Sequence, residues 1–113
     1  MIAQRGQIWT VALSPTVANE QAGIRPCVVI SANAYNAMPI GHAIVVPLTS
    51  RDRGLPHHVG VVDNGALQRP SWAMCEAVRA ISVQRLGTLI GSADRATTDA
   101  IVRHVSAWIA TDH

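Results

Sequence analysis

Two apolar runs of strand length, residues 25–31 (Arg-Pro-Cys-Val-Val-Ile-Ser) and 43–50 (Ala-Ile-Val-Val-Pro-Leu-Thr-Ser), flank a stretch at 33–41 rich in Asn, Pro and Gly. Runs of Val and Ile interrupted by such turn chemistry predict an antiparallel hairpin. With the turn centred on Ala37, Ala32 falls opposite His42 and Arg25 opposite Thr49. Directly opposed residues share a face, so a guanidinium and a hydroxyl would project together at one sheet edge. That combination suits an anion such as a phosphate. Pro47 lacks a ladder donor, which predicts an edge or a bulge at its position. A slip of one residue there would send Arg25 and Thr49 to opposite faces.

The remaining elements follow from periodicity. Residues 8–13 alternate, with Ile8, Thr10 and Ala12 on one face and Trp9, Val11 and Leu13 on the other, predicting a first strand. Residues 14–23 carry turn residues over a length unusual for a hairpin, so a surface loop is expected there. A charged turn at 51–56 precedes a strand at 57–62, and Asp63-Asn64-Gly65 signals another turn. Residues 71–82 read as a strand bent near Glu76 and Ala77, followed by a turn at 82–85 and a last short strand at 86–90. Beyond it the period becomes helical: Ile101, Val105, Trp108 and Ile109 form one stripe, with Arg95, Asp99 and Arg103 off it. Ser92 is the expected N-cap, and Asp94 suits the positive end of the helix dipole. The fold class is mainly β with α: a small, mostly antiparallel sheet or barrel closed by a C-terminal helix.

At 113 residues the chain is expected to be one domain, 1–113. No apolar run approaches the roughly 20 residues that span a bilayer, and the N-terminus lacks a signal-like apolar stretch, so a cytoplasmic protein with no membrane contact is expected. Nine cations against seven carboxylates give only +2, which excludes a non-specific nucleic-acid coat. All nine cations are arginine, each able to form a two-pronged grip on phosphate. A GC-rich coding sequence has the same effect, so arginine identity alone assigns nothing. Cys27 and Cys75 lack zinc-like spacing and are expected to be reduced core residues. His57 and His58, as strand neighbours, should face opposite sides and not act as a pair. Glu76 and Arg79, near the bend, are candidates to pair with each other or to line a groove. Trp9 and Trp72 are candidates for base stacking or for burial, and Trp108 for core or a dimer contact.

An ordered set of short motifs runs through nearly the whole chain: Arg5-Gly6-Gln7-Ile8-Trp9, then Asn19-Glu20-Gln21-Ala22-Gly23-Ile24-Arg25-Pro26, Val46-Pro47-Leu48-Thr49-Ser50, Gly54-Leu55-Pro56, and Glu76-Ala77-Val78-Arg79-Ala80-Ile81. In this order it resembles the MazF/PemK-type toxins of type II toxin–antitoxin systems. The resemblance implies an SH3-like or CcdB-like barrel and a homodimer with a groove along its interface. It also implies an antitoxin whose C-terminal segment occupies that groove. The implied activity is cleavage of single-stranded RNA at short sequences, with no metal or other cofactor, leaving a cyclic phosphate and a 5′-hydroxyl.

On this reading Arg25 grips phosphoryl oxygens, and its high pKa makes it a poor base. Thr49 donates to a phosphoryl oxygen or holds the 2′-hydroxyl. Glu20 either accepts the proton or orients Arg25. Arg51 and Arg53 suit phosphate tracking, and His57, His58, Glu76 and Arg79 complete the expected RNA contacts. The competing reading is a non-catalytic CcdB-like toxin that inhibits gyrase by binding, a role that needs neither Arg25-Pro26 nor Thr49.

Overall fold

The computed structural model describes residues 2–13 and 23–110. Strands β1 (Gln7–Ala12), β2 (Ile24–Val29), β3 (His42–Thr49), β4 (His58–Gly60), β5 (Trp72–Met74), β6 (Arg79–Ser82) and β7 (Leu86–Ser92) form one sheet. Helices α1 (Asn33–Asn36) and α2 (Arg95–Ala110) complete the fold. The strand path is β4-β5-β3-β2-β1-β7, with β6 also on β3, and every pairing is antiparallel. That path is open rather than a closed barrel. Its two ends are tied at one corner, where Asp63 bridges Ala93 and Asp94 N donates to Val62 O at 2.7 Å.

The β2–β3 register is the predicted one: Cys27 faces Pro47, Val28 faces Val46 and Val29 faces Val45. Continued two residues beyond its last pair, the same register would set Arg25 opposite Thr49. The turn region holds one short helix, α1, closed by Asn36 N bonding Ala32 O and Ala37 N bonding Asn33 O. Pro47 introduces no slip. Ile30 N donates to Ile44 O, so by alternation the even residues of β3 serve β2 and the odd ones, Pro47 included, face the other neighbour. On that side β3 pairs with β6 as far as Val45 and with β5 from Leu48, and Pro47 falls in the gap.

Both sheet faces are buried. One carries Ile8, Val28, Val46, Leu48 and Ala73 against Ile101 and Val105 of α2; the other carries Trp9, Val11, Leu13, Cys27, Val29 and Val45. The expected bent strand at 71–82 is β5 and β6 joined by a 3₁₀ turn at Cys75–Ala77, and a second such turn at Val83–Arg85 leads into β7. Three expectations change. The helix is capped by Asp94, whose Oδ1 accepts Thr97 N at 2.8 Å, while Ser92 still belongs to β7. The expected stripe is buried only at Ile101 and Val105, since Trp108 is 49% and Ile109 76% exposed at the helix's far end. The strand expected at 57–62 is confined to His58–Gly60, leaving His57 in the preceding turn. Among the described residues no helix is long and apolar enough to cross a membrane.

Candidate active site

The paired ends of β2 and β3 open into a polar cavity of about 660 Å³. Arg25 and Pro26 line it from β2, Thr49 and Ser50 from the end of β3, and Arg51 and Arg53 from the connection that follows. A further bank consists of Gln68, Arg69 and Ser71, from the connection between β4 and β5. Four arginines therefore reach one cavity, and no carboxylate is among the described residues lining it. Among the described residues none of the four makes an ion pair. Such a site is complementary to a polyanion, because unpaired like charges are relieved only by anions lying between them.

Thr49 is held for donation. Its Oγ1 accepts the Arg51 backbone N–H at 3.2 Å, which occupies a lone pair and leaves the hydroxyl hydrogen to be given elsewhere. On its other side Thr49 stands opposite Trp72, whose half-buried indole lies over Gly60. Trp9 is excluded from base stacking: it is 2% exposed, and its Nε1 donates to Gln7 Oε1 at 3.0 Å. Beneath Arg25, burial pushes the Cys27 thiol up to about 12, with Arg79 and Arg25 pulling weakly the other way. Burial and the Glu76 charge push Cys75 up to about 11. Both cysteines are neutral core residues, as expected from their spacing.

The remaining expected contacts separate from this cavity. His57 and His58 do not face opposite sides; both rings converge on Glu76, at 3.6 Å for His57 Nε2 and 3.0 Å for His58 Nε2. The alternation rule fails because His57 precedes the strand and sits in a turn. His58 is buried, and its Nδ1 has no partner. Buried donors without acceptors are rarer than unpaired acceptors, so the ring proton belongs on Nε2, donating to Glu76. His58 is hydrogen-bonded to Glu76 and His57 lies beside the same carboxylate, so the three form one cluster whose ligand atoms lie within 4.8 Å of one another, close enough to hold a metal ion. Glu76 and Arg79 do not pair. Arg79 instead donates to Leu13 O at 3.3 Å and lines a second, apolar cleft of about 390 Å³ with Ile44, Val105 and Ile109. Glu20 lies outside the described residues. Arg69 was missed by sequence reasoning because no periodic pattern or motif marks it. Its only signal is its position three residues before Trp72, where the strand that pairs with Thr49 begins.

The sequence matches the PemK-like, MazF-like toxins of type II toxin–antitoxin systems over residues 4–109. It is 34% identical over 104 residues to the endoribonuclease EndoA of Bacillus subtilis, covering 89% of each chain. It is also 34% identical over 115 residues to the endoribonuclease MazF9 of Mycobacterium tuberculosis, covering 93% of this chain and 98% of that one. The chain belongs to the PemK-like, MazF-like toxin family. In fold it is similar to MazF from Deinococcus radiodurans, with a TM-score of 0.85 at 22% identity over 96% of this chain and 97% of that one. It is likewise similar to a mycobacterial endoribonuclease solved in complex with its cognate antitoxin, with a TM-score of 0.78 at 21% identity over 98% of each chain. The relatives carry nuclease names, which does not favour the gyrase-binding alternative.

Proposed function

We propose that this chain is the toxin of a toxin–antitoxin pair and acts as an endoribonuclease on single-stranded RNA, with Arg25 and Thr49 at the scissile phosphate. The observation that supports this is that Arg25, at the end of β2, and Thr49, at the end of β3, line one cavity together with Arg51, Arg53 and Arg69. The RNA 2′-oxygen attacks its own phosphorus, the bond to the 5′-oxygen breaks, and a 2′,3′-cyclic phosphate and a 5′-hydroxyl result. Charge grows on the two non-bridging oxygens. Arg25 meets it with a permanent cation and two parallel N–H donors, and Thr49 with its hydroxyl. Arg51 and Arg53 hold the strand beyond the cut. Glu20, five residues before Arg25 in the sequence, is the carboxylate assigned to take the 2′-proton, and water supplies a proton to the leaving oxygen.

This set of groups needs no metal to stabilise the phosphoryl charge. The protein works in the cytoplasm as a homodimer, and the cognate antitoxin silences it by placing its C-terminal segment in the RNA groove. An acidic or otherwise anionic segment would match the arginine cavity. The test is purified protein with a long single-stranded RNA and excess chelator, with products probed for cyclic phosphate ends. Cleavage that persists in chelator is expected, and an intact RNA beside a correctly folded protein would reject the assignment.

A further inference from the structure

We propose that Arg69 holds a second RNA phosphate, flanking the scissile one, on the bank of the cavity opposite Arg51 and Arg53. This rests on the RNA reading above and extends it to a residue in a different segment. One scissile phosphate has two non-bridging oxygens, which a single guanidinium fork and a hydroxyl already satisfy. Three further arginines line the same cavity without ion pairs among the described residues. They must therefore serve charge beyond the reacting group.

The ladder register places them. Thr49 is opposite Trp72, so residues 50–53 leaving β3 and residues 71–69 approaching β5 run out of the sheet side by side. Arg51 and Arg53 from one segment and Arg69 from the other thus line the same cavity as Arg25 and Thr49.

The segment bearing Arg69 is braced. Asp63 Oδ2 accepts Gly65 N at 3.1 Å and Leu67 N at 2.9 Å, and Leu67 packs on the core. Asn64 Oδ1 accepts Ser92 N at 3.3 Å over Gly91, where a Cβ would come within 2.5 Å of that oxygen. Ser71 Oγ donates to Arg69 O at 3.1 Å. A braced backbone presents the arginine with little ordering cost on binding.

The test measures equilibrium binding of a random-sequence single strand of roughly 12 nucleotides, a length within single-strand site sizes. Its sugars are 2′-fluoro, so it lacks the attacking hydroxyl. Each phosphate contact contributes about 0.7 to the slope of log affinity against log salt. Arg69→Gln should lower the wild-type slope by that amount. Its affinity deficit should then shrink about 2.6-fold between 50 and 200 mM salt, while Arg69→Lys should keep the slope. A wild type that binds and cuts RNA beside an Arg69→Gln variant of unchanged slope would overturn the assignment of Arg69 alone. A wild type that neither binds nor cuts RNA would overturn the RNA reading and this inference with it.

Discussion

Replacing Thr49 with valine removes one hydroxyl and little else. Valine keeps the branched Cβ that suits a strand end, so β3 and its pairing with β2 and β5 should persist. Two functions of Oγ1 are lost: the bond accepted from Arg51 N at 3.2 Å, and the donation to a phosphoryl oxygen proposed above. The first is an exposed bond worth at most about 1 kcal/mol to stability, too little to unfold the chain. The second, if it behaves as an oxyanion-hole donor, contributes about 3 kcal/mol to the barrier, roughly a hundredfold in rate. Single-turnover cleavage in chelator should therefore fall by about two orders of magnitude, with Thr49→Ser recovering most of the loss. The indirect route through Arg51 is separable. In an Arg51→Gln background, a Thr49→Val effect of the same size assigns the loss to the hydroxyl, and a vanishing effect assigns it to the positioning of Arg51. A Thr49→Val enzyme cutting at close to the wild-type rate would refute the proposed role of Thr49.

Arg25→Ala should abolish most cleavage, and Arg25→Lys should restore only part of it, since a point charge cannot reproduce the two-pronged grip; equal rates for lysine and arginine would argue against that grip. Glu76→Ala strands the buried His58 with neither ring nitrogen paired, costing about 1–3 kcal/mol, read as a lower Tm. Glu76→Gln should cost less because its amide oxygen still accepts from Nε2. Both Glu76 variants should still cleave, because Glu76 lies outside the arginine cavity. Asp94 has a carboxyl pKa below its ordinary value, held there by the Thr97 side chain and then its backbone N–H. Its contribution is present at neutral pH and is lost as pH falls through that lowered pKa. Asp94→Ala should therefore melt below wild type at pH 7, and the gap should close in acid thermal scans.

What could be read from the sequence was whatever depends on short-range alternation. The β2–β3 register follows from two apolar runs of strand length around one turn centred on Ala37. The bend at 75–77 follows from a run too long and too polar at Glu76 to remain one straight strand. Misreadings arose where a residue lay just outside its element. His57 precedes β4, so alternation says nothing about its direction, and it joins His58 on Glu76. Ser92 and Asp94 are both good caps by chemistry, and only the length of β7 decides between them. Arg69 depends on a loop path set by Asp63 and Leu67, which no periodic signal encodes.

Pro47 shows why the site forms where it does. A proline in the middle of a strand would ordinarily cost a ladder bond, yet here its missing N–H points to the stretch where β3 has left β6 and has not yet met β5. The partner switch and the proline fit each other, and the opposite edge of β3 keeps an unbroken register with β2. Because β5 joins β3 only at Leu48 and Thr49, the chain is released immediately afterwards, and the connections carrying Arg51, Arg53 and Arg69 are free to splay into arginine-lined banks. Pro47→Val would add a backbone N–H at a buried position facing the gap between β6 and β5, where no strand accepts it. It should therefore cost about 1–3 kcal/mol of stability, read as a lower Tm, and an unchanged Tm would argue that the proline is not fitted to the gap.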